Sequence, residues 1–267
     1  MKSPKNKKKT PLWRTLKDER HGSKMFLEEG NTSGVSSKRL AAHMLKKYKL
    51  TTPVFVGMHS DNMEDFYLPR SSIRPYKWKI KNDIKDDDTK IKDKSYYRRL
   101  LKTLNNKKNK LKLKHGLVVI DKHSHKYAPE IVGHEIGHAA NAVTSKFRHV
   151  DRIINSPLNN VLNMGILASA VGYNAFGENQ NIANALTIAA PAAIGITRAG
   201  LLYDEYRAHK KGKESIRDLG GKPNEKRVKR SFNSYVNSTI HKGIGLGALL
   251  GTSYFLGKKF RNKNNNK

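Results

Sequence analysis

Residues 134–138 read His134-Glu135-Ile136-Gly137-His138. A spacing of four sets both imidazoles one helical turn apart on one face, where they can reach a single ion. Glu135 stands about 100° round the helix from His134, placed to act on a water held by the metal without ligating it. Zinc suits such a pair, because two neutral imidazoles leave room for a third ligand and a water. The flanking residues agree with a helix. Leu117-Val118-Val119-Ile120 is a short β-branched run that reads as a strand, and Pro129 suits the first turn of the helix that follows. Ile131, Val132, Ile136, Ala139, Ala140 and Val143 supply that helix with an apolar face.

Composition narrows the chemistry. The 267 residues suffice for one sizeable domain or two small ones. There is no cysteine, so thiolate ligands and disulfides are excluded and any zinc is held by histidine and carboxylate. The formal net charge of +31 calls for a polyanionic neighbour, anionic lipid or nucleic acid, or else reflects plain lysine enrichment. Lys2–Lys9 is basic, but no apolar core of a signal peptide follows it.

The chain is unevenly organised. Residues 1–35 read as a basic flexible arm. Ser36 or Ser37 is placed to cap a helix running through Lys47, with Leu40, Ala41, Met44 and Leu45 inward. Pro53-Val54-Phe55-Val56 reads as a strand, and residues 80–114, rich in Lys, Asp and Asn, offer one helix at 96–104.

Beyond the zinc motif the texture changes. No Asp, Glu, Lys or Arg occurs between Arg152 and Glu178, or between Glu178 and Arg198. The apolar runs 161–176 and 182–197 are short of the roughly 20 residues that a bilayer crossing takes. Basic residues flank the pair outside, so the positive-inside rule makes it a hairpin, 157–197, with both ends cytoplasmic. A third charge-free run, 243–257, carries Gly243, Gly247 and Gly251 at a spacing that lets helices approach closely. It is expected to pack on the hairpin or to enter the bilayer without crossing, which leaves the basic tail on the side of the zinc site.

Immediately after the second run comes Leu201-Leu202-Tyr203-Asp204-Glu205-Tyr206-Arg207-Ala208-His209. Together with the His-Glu-x-x-His helix and the intervening apolar runs, this segment resembles the gluzincin metallopeptidases, in particular the membrane-bound HtpX-type and CAAX prenyl proteases. The resemblance covers residues 115–212. It implies that Glu205, in Glu205-Tyr206-Arg207-Ala208, is the third zinc ligand beside His134 and His138, and that Glu135 is the general base. It also implies a carboxylate beside the ligands at position 209, where this chain has His209 instead. His209 then either accepts a hydrogen bond there or becomes a fourth ligand. Asp204 is an alternative to Glu205. His123 and His125 read as an exposed turn, Tyr203 and Tyr206 as packing residues, and 226–230 as a lipid-facing basic cluster.

The expected fold is mainly α with a small β component. It comprises a zincin-like metallopeptidase core at 36–212, an apolar helical hairpin inserted between the His-Glu-x-x-His helix and the third-ligand helix, and a basic C-terminal region at 213–267. The expected activity is zinc-dependent endopeptidase cleavage of a polypeptide at a membrane rich in anionic lipid. A substrate strand would add to 117–120, and the zinc site would lie on the cytoplasmic face. A non-enzymatic membrane-active or nucleic-acid-associated protein, such as a phage or virus component with a degenerate peptidase fold, is the alternative. No nucleic-acid module and no aromatic interleaving of the basic runs supports the nucleic-acid branch.

Overall fold

The computed structural model describes residues 30–57, 65–106, 109, 112–144 and 157–265. It is mainly helical with one small sheet. Helix α1 (Ser37–Lys47) starts where its cap predicts, the Ser36 side chain accepting from the Arg39 backbone N–H at 3.3 Å. Strand β1 (Val54–Gly57) follows, then β2 (Phe66–Leu68), α2 (Ile73–Lys85), α3 (Ile91–Asn105) and β3 (Leu117–Asp121). Helix α3 contains the segment expected at 96–104, whereas β2 and α2 were not anticipated.

The sheet order is β1-β3-β2, with β1 parallel to β3 (Val54↔Val118) and β2 antiparallel to it (Phe66↔Val119). Every residue of β3 is buried, as expected for a strand covered on both faces. Val118 and Ile120 pack on Leu40 and Met44 of α1 and on Val132 and Ile136. Leu117 and Val119 face the other way, onto Ile80 of α2 and Tyr96 and Leu100 of α3. With neighbours on both edges, β3 has no edge to offer a substrate, which corrects the expected strand addition at 117–120.

Short helix α4 (Lys122–Tyr127) replaces the exposed turn expected at His123 and His125, and His125 is half-buried in it. Helix α5 (Pro129–Thr144) carries the motif and begins at Pro129, as expected. Helices α6 (Pro157–Phe176), α7 (Gln180–Asp218) and α8 (Glu225–Asn265) complete the chain. The apolar hairpin is present but is not a separate insertion. Its second arm and the Glu205 segment are one continuous helix, α7, which tolerates Pro191 internally and runs past 212.

Two further expectations change. Residues 30–35 are tied to the core: Ser33 and Val35 are buried, and the Lys222 backbone N–H donates to the Ser33 carbonyl. Residues 1–29 of the expected arm lie outside the described residues. The run 243–257 does pack on the hairpin, as part of α8. Leu250 is buried with Ala170 and Ala190, and the Tyr254 hydroxyl donates to Asn184 Oδ1 at 2.7 Å. A Cβ at Gly243, Gly247 or Gly251 would meet nothing within 4 Å, so these glycines mediate no close approach. Gly257 does, against the Asn174 backbone. Helix α8 therefore runs from the motif to the hairpin turn, and Lys258 and Lys259 lie at the end away from Glu205, opposite to expectation.

Candidate metal centre

The site forms where α5 crosses α7, and glycines make the crossing close. A Cβ on Gly137 would stand 2.5 Å from the Ala208 carbonyl oxygen, and one on Gly212 would stand 2.9 Å from the Gly133 carbonyl carbon. Gly133 and Gly137 on one helix thus face Ala208 and Gly212 on the other, each pair four residues apart. Small residues at this spacing let two backbones touch. At that distance the side chains beside them, His134 and His138 on α5 and Asp204, Glu205 and His209 on α7, meet in one buried place.

The separations are short. His134 Nε2 and His138 Nε2 are 3.1 Å apart. Glu205 lies 3.2 Å from His134 Nε2 through Oε2 and 3.6 Å from His138 Nε2 through Oε1. Zinc bonds of about 2.0–2.1 Å in a tetrahedron set ligand atoms about 3.3–3.4 Å apart, inside the observed range. Glu205 Oε2 is buried and has no hydrogen-bond partner despite its nearness to His134. His134 Nε2, His138 Nε2 and the Glu205 carboxylate are thus close enough to share one proton or one ion. His134, Glu205 and His209 also form a buried group whose ligand atoms all lie within 4.8 Å, which could hold a metal ion. The two sets share His134 and Glu205 and differ in the third imidazole.

Asp204 supplies what position 209 was expected to supply. His138 Nδ1 is 2.7 Å from Asp204 Oδ2. The Asn141 amide donates to Asp204 Oδ1 at 2.8 Å and to the Asp204 backbone carbonyl at 3.1 Å. A proton held on Nδ1 by this carboxylate turns the Nε2 lone pair of neutral His138 toward Glu205, the tautomer that a ligand imidazole needs. Asp204, the residue beside Glu205, therefore orients the imidazole. Asn141, one turn beyond His138, was the sequence signal for a buried polar partner on that face.

Electrostatics follow from the crowding. Burial depresses the His138 pKa, but the Glu205 and Asp204 carboxylates outweigh it and hold the imidazolium well above its ordinary value. Burial raises Glu205 and Asp204, yet the histidines, with Asn141 at Asp204, bring both below the usual carboxylate range. Glu135 goes the other way. Burial pushes its carboxyl up, opposed by the two imidazoles, reinforced by Glu205, and opposed again by a hydrogen bond from the Tyr67 backbone N–H of β2. Its Oε1 is 3.9 Å from His134 Nε2, beside the cluster but outside it.

Comparison with protein-family models, curated proteins and solved structures finds no match. What the site can do is therefore argued from its own atoms. Two lone-pair nitrogens and a carboxylate converging within 3.6 Å repel one another unless a proton or a cation lies among them.

Other candidates resolve differently. Tyr203 and Tyr206 are about half exposed rather than packed inside. The Arg207 guanidinium lies over the Tyr203 ring at 5.5 Å, and Tyr206 meets Phe232 of α8 edge-on. In the basic cluster at 226–230, Arg227 turns inward and its Nη2 donates to the Gly30 carbonyl at 3.0 Å, so it is a structural tie. Phe232 and Tyr235 of α8 reach the site, the latter ring 6.4 Å from that of His134, and neither was foreseen.

Proposed function

We propose that the chain is a zinc-dependent endopeptidase of gluzincin type, with a zincin-like core and a membrane-associated helical bundle. The observation that carries this reading is the convergence of His134, His138 and Glu205 within 3.1–3.6 Å, with Asp204 fixing His138 from behind. A bound zinc would polarise a peptide carbonyl and bring the pKa of a water toward neutrality. His134, His138 and Glu205 hold it, and the cysteine-free composition fits a nitrogen-and-oxygen donor set. Glu135 has the complementary task. A carboxyl raised by burial takes a proton from the attacking water and returns it to the leaving amine more readily than a fully solvated one.

The exterior of the bundle supports membrane association. Large apolar residues such as Met164, Ile188, Ile196, Ile244 and Phe255 are between 65 and 74% exposed. Helix α7 is long and apolar enough to cross a bilayer. Arg198, Arg207, Lys210, Lys211 and Lys213 gather toward the site end of α7 and outnumber Lys258 and Lys259 at the turn end, where Glu178 also stands. The site end is accordingly assigned to the cytoplasmic face, next to anionic lipid.

The test is metal analysis joined to one substitution. Purified full-length protein is expected to carry about one zinc per chain. Glu135→Gln keeps shape and metal but lacks the base, so zinc should remain while peptide hydrolysis falls by about 10²-fold or more. An intact chain without zinc, or a Glu135→Gln variant as active as the parent, would refute the assignment.

A further inference from the structure

His209 has no task in the chemistry just described, yet it is only 8% exposed and its Nε2 is buried without a hydrogen-bond partner. A buried imidazole nitrogen left unpaired is costly, and such groups in folded proteins have a reason. His209 stands one turn beyond Glu205 on α7 and so shares its face. Its ring centroid lies 4.1 Å from that of His134 at a tilt of 32°. Its ligand atom falls within 4.8 Å of those of His134 and Glu205.

We propose that His209 is a displaceable fourth protein ligand. With His134, His138 and Glu205 it closes the shell of a bound zinc, and it must leave before a peptide carbonyl can be polarised there. The inference rests on the metal assignment above. Four protein ligands make a closed site of the kind that holds structure, whereas a working site keeps one position open. The surroundings give His209 somewhere to go. A cavity of about 400 Å³ lies between α7 and α8, lined by His209 together with Tyr206, Lys213, Val228 and Phe232. Phe232 sets its ring edge-on to His209, with centroids 6.2 Å apart and planes at 82°. The position of α8 therefore controls whether the imidazole stays against His134 or turns into the cavity. Near that end α8 is fastened to α7 by Lys213 and Arg217 on Glu225, at 3.0 and 2.6 Å. Solvent-exposed pairs of this kind hold weakly, so a substrate or a lipid surface that moves the start of α8 would open the site.

The experiment is zinc X-ray absorption on the full-length chain, paired with chelator competition. Three imidazoles around the metal are expected in the parent and two in His209→Ala. The zinc Kd of the variant is expected to rise by at least about tenfold, the scale on which ligand-supporting groups act. At saturating zinc, His209→Ala should cleave a peptide at least as fast as the parent. Two imidazoles in the parent would overturn the proposal, and the same two in His209→Ala would leave the metal assignment intact; an unchanged Kd in the variant, or a variant that is slower at saturating zinc, would likewise overturn the proposal alone. A parent that holds no zinc would remove both. The imidazole count of the parent needs no variant, so it decides the matter even if His209→Ala fails to fold.

Discussion

Around β3, large apolar side chains point inward: Leu40, Met44, Ile120 and Ile136 are completely covered, and the polar site is sealed beside them. In the bundle of α6, the first half of α7 and α8, the order is reversed. Its interior holds mostly small residues, Ala170, Ala183, Ala190 and Asn174, whose amide donates to Thr187 Oγ1, with Leu250 and Ile194 as buried exceptions, while Ile188 and Phe255 face outward. The first region is built as water demands, with apolar volume removed from solvent. The second would expose a broad apolar surface if it stood in water, and its small interior residues suit helices that gain nothing from hiding leucine from lipid. Helices α7 and α8 pass through both regions, so whatever surrounds the bundle is mechanically joined to the candidate metal centre.

The largest test of that contrast is a charge on each exterior. Ile188 and Trp78 are 74% and 70% exposed, one on the bundle and one on α2. If the bundle sits in lipid, Ile188→Asp near the middle of the apolar run costs about 2.5–3.5 kcal/mol of insertion. Trp78→Asp, on a water-facing helix, should stay within about 0.5 kcal/mol. Liposome flotation and alkaline extraction read the difference. Equal membrane retention by both variants would break the contrast.

Acidity should separate the regions next. Asp65 accepts from the Asp121 backbone N–H and from the Ser124 hydroxyl, each at 2.6 Å. Burial pushes its carboxyl up to about 7, and the Ser124 and Asp121 hydrogen bonds only partly oppose this. A carboxyl whose folded pKa exceeds its unfolded value binds more protons when folded, so stability is complete below about 4 and is lost as pH rises through about 7. A shift of this size corresponds to about 4 kcal/mol in full, of which roughly 2–3 kcal/mol is lost between pH 5 and pH 8. Asp65→Asn should therefore gain on the parent in denaturant melts between pH 5 and pH 8. Parallel pH profiles would show Asp65 to be solvated.

Third in size is the orienting carboxylate. Asp204→Asn can keep its contact to Asn141 but loses the charge at His138, and zinc affinity should fall about ten- to hundredfold. Competition with a chelator of known affinity measures this, and an unchanged affinity would mean that His138 needs no orientation from behind.

The motif helix, its preceding strand and the approach of Glu205 were all legible in the chain, because periodicity and ligand spacing are local properties. Three things were not. The orienting role went to Asp204 instead of position 209, since which neighbour of Glu205 faces His138 depends on how α7 rolls against α5. The continuity of α7 through Pro191 was hidden because a proline reads locally as a break, although a helix packed on neighbours absorbs it. The three residues of β2 were too few to show a period of two, yet they close the sheet and bring the Tyr67 N–H to Glu135.

Glycine gives the smallest and cleanest comparison, because the same substitution should change sign between the regions. At Gly137 an added methyl would press on the Ala208 carbonyl oxygen and carbonyl carbon, at 2.5 and 2.9 Å, and backbone cannot move aside as a side-chain tip can. Gly137→Ala should push α5 away from α7 and cost about 1–3 kcal/mol. Zinc affinity should weaken with it, because His138 and Glu205 sit on the two helices being parted. At Gly195, within the apolar half of α7, a Cβ meets nothing within 4 Å. There the methyl only restricts the unfolded chain and improves helix propensity, so Gly195→Ala should stabilise by about 0.5–1 kcal/mol and leave zinc binding alone. Thermal melts in detergent, with zinc titrations on both variants, read the two signs. A Gly137→Ala variant as stable as the parent would show that the helices are not in backbone contact, and the convergence of the ligands would then need another cause.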